Sequence, residues 1–184
     1  MKRIVHRAIA RVAPEVTGGI RVLLYHAVDE PTADDTMSLR VSRERFLEQM
    51  KTLRDTRYKV VPLSAVSGTG PLADDSVQVA TTFDDGYRSQ EWAAQILRDF
   101  GFPATFFVTP RFLDGVRSPR TQSEAWGHLG WDDAAALIEN GFEIGAHSTT
   151  HPDLRQCDPT SLDDEVFGAR TLLQERLGTD IVSF

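Results

Sequence analysis

Residues 77–86, Val77-Gln78-Val79-Ala80-Thr81-Thr82-Phe83-Asp84-Asp85-Gly86, constrain this chain more than any other stretch. The run begins β-branched and apolar, which predicts a buried strand, and it stops in two adjacent carboxylates and a glycine. A strand that crosses a core and ends this way carries charge to one rim of that core. An unpaired buried carboxylate is costly, so the pair calls for a cation, a shared proton or open water. Downstream, Phe142-Glu143-Ile144-Gly145-Ala146 reads as another strand. It runs into His147-Ser148-Thr149-Thr150-His151, which sets two imidazoles four residues apart. Two histidines and one aspartate make a three-ligand site with a coordination position open for water. Taken singly, each motif is bland. Asp-Asp-Gly after a strand is commonly a turn, and two histidines at this spacing are weak evidence of a metal. The joint pattern is more specific, because each motif follows an apolar strand and precedes a helix-like stretch.

The remaining segments give the frame. Ile20 to His26 reads as a first strand, and residues 29–38, rich in Asp, Pro and Thr, as a loop. Ser42 is placed to cap a helix over 43–55, with Phe46, Met50 and Leu53 on one face and Leu47 beside them. Tyr58 to Leu63 is a short extended run, and Ser67 to Asp75 a loop. A helix over 88–100 is expected to turn Trp92, Ile96 and Phe100 inward and to stop at Gly101. Pro103 to Thr109 is the next strand. Residues 110–128 form a polar connection of the length that marks a functional loop. Asp132 and Asp133 suit the first turn of a helix ending at Gly141. Asp158-Pro159 opens a last helix marked by Leu162, Val166, Leu173 and Leu177 and stopped by Gly178. Ile181 to Phe184 is expected to begin a further strand.

Strand, helix, strand, helix implies α/β architecture, a parallel sheet with crossover helices. In such folds functional residues collect at the C-terminal ends of strands, where His26, Asp84, Asp85, His147 and His151 all fall. Periodicity alone leaves a barrel and an open sheet equally open.

At 184 residues the chain fits one domain. A formal charge of −7 argues against non-specific binding to nucleic acid or to an anionic membrane surface. One cysteine, Cys157, excludes an internal disulfide and allows a reducing compartment; it lies in a polar turn and is read as incidental. Residues 1–19 form a basic N-terminal extension with a short amphipathic stretch. His6, Arg7 and Arg11 interrupt any signal-peptide core. No stretch approaches the ~20 apolar residues that span a bilayer. The expectation is a cytoplasmic protein without stable membrane insertion.

Thr82-Phe83-Asp84-Asp85-Gly86 and His147-Ser148-Thr149-Thr150-His151-Pro152 resemble the first two motifs of the NodB-type polysaccharide deacetylases, carbohydrate esterase family 4. The resemblance covers most of residues 21–184. It implies a distorted (β/α) barrel over 20–184, incomplete at its C-terminal side, and a hydrolase removing N-acetyl groups from an amino-sugar polysaccharide or its precursor. It assigns Asp84 as the base and Asp85, His147 and His151 as ligands of one divalent ion, with zinc expected and cobalt or nickel able to replace it. Ser148 is expected to support the histidine loop, and Tyr87 and His26 to line the substrate groove. The family's later motifs are an Arg/Pro/Gly segment and a Leu-x-His that supplies the acid. The first of them would begin where the chain reads Phe184. His6 and His128 match neither and are expected to be ordinary surface histidines. Residues 1–184 alone are thus expected to bind metal but deacetylate poorly, and open sheet edges to favour self-association. A metal- and glycan-binding protein without turnover, and an O-acetyl esterase, are the alternative readings.

Overall fold

A computed structural model describes residues 19–56, 58–66, 77–116 and 126–184. The N-terminal stretch and the expected 67–75 loop lie outside the described residues, as does His6. At the centre is β5, Gln78–Phe83, as the apolar run predicts. One of its edges pairs in parallel with β1, Ile20–Tyr25, along the whole strand, from Ile20 opposite Gln78 to Tyr25 opposite Phe83. The other edge is shared. β4, Lys59–Val60, pairs with Gln78 and Val79, while β6, Thr105–Val108, pairs with Thr82 and Phe83. β7, Glu143–Ala146, then pairs in parallel with β6. A small second sheet joins β2, Ala27–Val28, to β3, Arg40–Val41.

The helices pack as crossovers. α1, Arg43–Asp55, starts at Ser42, whose hydroxyl accepts from the Arg45 amide, and it buries Phe46, Met50 and Leu53. A four-residue helix α2, Leu63–Val66, follows β4. α3, Gln90–Phe100, ends at Gly101, whose φ of 68° is the left-handed conformation that glycine adopts without penalty. α4, Pro110–Leu113, opens the connection expected to be a polar, functional loop, because Pro110 fits the first helical position. α5, Trp131–Glu139, is started by the Asp133 carboxylate, which accepts from the Gly130 amide.

One side of the sheet carries a row of rings. Phe83 stacks on Phe106 at 4.7 Å and on Tyr25 at 5.3 Å, and Phe46 meets Tyr25 edge-on at 5.2 Å. Phe46, Phe83 and Phe106 are fully buried, each worth about 1.5–3 kcal/mol in burial alone. The face of α3 that reaches this core is not the expected one. Ala93, Ala94 and Leu97 are buried, while Trp92, Ile96 and Phe100 are only partly covered at the core's margin. Small side chains let the helix backbone approach the sheet; the large ones roof its edges.

The C-terminal segment departs from the expected single helix. α6, Pro159–Asp163, is capped by Asp158, and α7, Ala169–Leu177, is stopped by Gly178. Between them Asp164–Gly168 forms one wide turn with i to i+5 spacing. The cause is visible: the Thr149 hydroxyl donates to the Asp164 carbonyl at 2.8 Å and the Thr149 amide to that of Glu165 at 3.1 Å. A polar group inserted into a helical ladder widens it locally. Residues 181–184 form no strand. The Ser183 carbonyl accepts from the Ala146 amide, and Val182 and Phe184 are left exposed. On β1, Val22 and Leu24 are also exposed.

Candidate metal centre

The rim at the strand ends is built from two turns. Asp84 closes the last β1–β5 rung, its amide donating to the Tyr25 carbonyl at 2.9 Å. The chain then reverses through Asp85 and Gly86, both at positive φ, 69° and 65°. A Cβ on Gly86 would stand 3.2 Å from Val108 Cγ1, so both space and backbone favour glycine there. Gln90, fully buried at the start of α3, donates its amide to the carbonyls of His26 and Asp84 at 2.9 and 2.7 Å. It ties the ends of β1 and β5 together. Nothing in the sequence marked it.

From β7 the chain leaves through His147 into a tight loop. His147 Nε2 lies 3.3 Å and His151 Nε2 3.1 Å from the same oxygen, Asp85 Oδ1. The His151 amide donates to Ser148 Oγ at 3.0 Å, the support expected of Ser148. Four described residues other than glycine have positive φ, and Asp85, Ser148 and His151 are three of them. Such conformations cost about 1–3 kcal/mol each and persist where the surroundings enforce them, commonly at functional sites.

The site residues fit a divalent cation. Asp85 is 7% exposed, and among the described residues its Oδ1 has no aligned hydrogen-bond donor although two imidazole nitrogens face it. One donor atom from each of Asp85, His147 and His151 falls within 4.8 Å of the others. Two imidazoles and one carboxylate, the three donors grouped here among the described residues, suit zinc, cobalt or nickel. Electrostatics agree in direction. Burial alone would raise the Asp85 carboxyl, yet His147 and His151 outweigh it and hold it far below the usual carboxylate range. Burial would lower His147, but Asp85 and Asp84 outweigh that and raise it. Asp84 is pushed up, first by burial and also by Asp85, against the pull of His147, His26 and His151. A divalent charge beside it acts in the opposite sense.

The other expected site residues separate. His26 is half-buried and close enough to Asp84 to bias its ionisation. Tyr87 is 3% exposed, packed on Trp126 at 5.2 Å and on His128 at 5.0 Å. His128 is not a surface histidine. The connection returns antiparallel to Tyr87, with the Arg88 amide donating to Gly127 and the Leu129 amide to Gly86. That register places His128 between Tyr87 and Phe112, 4.4 Å away, and Phe112 in turn faces His151 at 5.8 Å. Burial pushes the His128 imidazole down from 6.5 to about 4. Its folded form therefore refuses a proton that the unfolded chain accepts, and the stability it confers is complete above pH 6.5 and lost as pH falls toward 4. At one pKa unit per 1.36 kcal/mol the loss is about 3 kcal/mol at most. Urea unfolding at pH 7 and near pH 4 should show His128→Phe losing less stability than the wild type between the two. An equal loss in both would assign the acid sensitivity to other groups.

The family model for polysaccharide deacetylase matches residues 73–184. A chitooligosaccharide deacetylase from Bradyrhizobium sp. (strain ANU 289) is 30% identical over 111 residues, which cover 59% of this chain and 44% of that protein. Among solved structures, a Streptococcus pyogenes deacetylase in complex with acetate aligns with a TM-score of 0.74 at 22% identity, over 89% of this chain and 71% of that one. A polysaccharide deacetylase from Bacillus cereus aligns with a TM-score of 0.69 at 25% identity, over 89% of this chain and 49% of that one. The chain thus spans less than half the length of the curated relative it matches. A parallel α/β sheet with its polar cluster at the strand ends, a segment of a distorted (β/α) barrel, is the class these observations define. The chain belongs to the polysaccharide deacetylase family.

Proposed function

We propose that residues 20–184 carry the attacking half of a metal-dependent deacetylase site, which removes N-acetyl groups from an amino-sugar polymer or its precursor. The observation that carries this is the convergence of His147 and His151 Nε2 on the buried Asp85 Oδ1, beside Asp84. Asp85, His147 and His151 hold the cation, zinc by preference. When bound, it supplies Lewis acidity that makes water nucleophilic near neutral pH. Asp84 would take the proton of the water that adds to the acetyl carbonyl carbon; the tetrahedral adduct then collapses with cleavage of the carbon–nitrogen bond, and the amine nitrogen leaves with a proton in place of the one Asp84 removed, giving acetate and a free amine. His26, close enough to Asp84 to act on its charge, is assigned to the lining of the substrate groove; Tyr87, 3% exposed and packed on Trp126 and His128, would support that groove from beneath. An acetylated chito-oligomer is the substrate class suggested by the Bradyrhizobium relative. No helix among the described residues is long and apolar enough to cross a membrane. The exposed Val22 and Leu24 on β1 support self-association.

The test pairs metal content with acetate release. The protein, expressed with whatever flanks residues 1–184 in its own gene, should hold about one equivalent of divalent metal and release acetate from an N-acetylated chito-oligomer. His147→Ala should lose most of both, because a neutral ligand is removed from a three-residue set. Equal, stoichiometric metal in the two proteins would show that these are not the ligands. Acetate released from aryl acetates but never from the oligomer would favour an esterase.

A further inference from the structure

The histidine loop is clamped by the wide turn behind it, and the clamp centres on Glu165. The Glu165 carboxylate accepts from the Thr150 amide at 2.8 Å and from the Thr150 hydroxyl at 2.6 Å. The carbonyls of Glu165 and Asp164 accept from the Thr149 amide at 3.1 Å and the Thr149 hydroxyl at 2.8 Å. Thr149 and Thr150 lie between the two histidines, and the loop reverses through left-handed backbone at Ser148 and His151. On the opposite side the Arg111 amide donates to the Thr149 carbonyl, and the Thr109 hydroxyl to that of His147 at 2.8 Å. Both flanks of the loop are therefore fixed by named hydrogen bonds. Only the Glu165 side demands a distortion of its own element, the i to i+5 turn of Asp164–Gly168.

We propose that Glu165 is a positioning residue for the metal ligands. By holding Thr149 and Thr150 it fixes the separation and aim of His147 and His151 before any cation binds. The inference rests on the metal reading of Asp85, His147 and His151. A loop reversing twice through unfavourable backbone has alternative conformations open to it. Groups that orient ligands without touching the metal typically govern its affinity by 10–100-fold. A helix would by itself keep regular spacing across Asp164–Gly168. The widened turn instead places two carbonyls and one carboxylate on four donors, the amides and hydroxyls of Thr149 and Thr150.

Cobalt(II) is the probe, because its visible absorption reports ligand number and geometry. Residues 1–184 are titrated at neutral pH as wild type, Glu165→Ala, Glu165→Gln, Thr150→Val and His147→Ala, and each metal-free protein is melted by circular dichroism. Glu165→Ala should bind cobalt at least 10-fold more weakly, with an altered absorption band, at temperatures where it is folded. Glu165→Gln keeps an oxygen acceptor for Thr150 and should recover affinity to within about 3-fold. Thr150→Val removes the hydroxyl held by the Glu165 carboxylate without changing shape and should weaken cobalt binding in the same direction, which keeps the inference testable if Glu165→Ala fails to fold. Wild-type affinity and an unchanged spectrum in folded Glu165→Ala, or in Thr150→Val should Glu165→Ala not fold, would overturn the positioning role even if the melting point falls. Undiminished cobalt binding by His147→Ala would instead overturn the metal reading, and the inference with it.

Discussion

Asp84→Asn should keep the metal and lose turnover by about 10²–10⁴-fold, the span expected when a positioned proton acceptor is removed. The substitution preserves shape and leaves the Asp84 backbone bonds to Tyr25 and Gln90 untouched, since those use its amide and carbonyl. What it removes is the carboxylate next in sequence to Asp85, which, unlike Asp85, forms no ion pair with His147 or His151. Asp84 is partly buried and its pKa is raised, so in the folded protein it has a stronger appetite for a proton than an ordinary carboxylate. That is the property a base needs, provided it is ionised when the attack begins, and a divalent charge held by Asp85, His147 and His151 would keep it so. Metal content by elemental analysis and acetate release from an acetylated chito-oligomer test the two halves separately. Loss of metal would mean that Asp84 shares the ligand role. Unchanged turnover would place the base elsewhere in the protein.

The features that could be read from sequence are those whose cause is local. The β5 run, the Ser42 cap, the Gly101 and Gly178 stops and the Asp158-Pro159 start depend on residues within one turn of the position they mark, and each is present as expected. Asp85, His147 and His151 could be brought together on paper because parallel strands place their C-terminal ends on one side. The misses share a different cause. The buried face of α3 is set by how closely its backbone approaches the sheet, which Ala93 and Ala94 allow, and bulk hydrophobicity pointed instead to Trp92, Ile96 and Phe100. Gln90 is buried because two distant carbonyls, His26 and Asp84, meet at its amide. His128 is buried because residues 127–129 run back along Tyr87. The wide turn at Asp164–Gly168 answers a loop some fifteen residues upstream. Each of these is a tertiary accommodation with no signature in its own neighbourhood. Gly145 is similar: a Cβ there would lie 2.4 Å from the Phe107 ring, a constraint imposed by the adjacent strand.

Phe83→Ala should cost about 3–5 kcal/mol, the range for truncating a fully buried aromatic. Phe83 is 0% exposed and has rings on three sides, Phe106 at 4.7 Å, Tyr25 at 5.3 Å and Phe46 at 6.0 Å. Those neighbours come from β6, β1 and α1, so the cavity would open where three elements meet and none can close it without leaving its hydrogen-bonded register. Collapse is therefore limited and the cavity penalty stays near its full value. Against a total stability of about 5–15 kcal/mol for a domain, the loss is large enough to unfold a marginal chain. Phe83→Leu keeps most of the volume and should cost markedly less, about 1–2 kcal/mol. The comparison also reaches the site, because Phe83 immediately precedes Asp84 and anchors the strand end from which Asp85 is presented. A folded Phe83→Leu protein should then bind cobalt(II) more weakly than wild type, since its strand end is held less firmly. Urea unfolding of both variants, with cobalt titration of whichever folds, decides the matter. A loss below about 1 kcal/mol for Phe83→Ala would mean that the ring row repacks freely, and that the strand end is held chiefly by its backbone bonds and by Gln90.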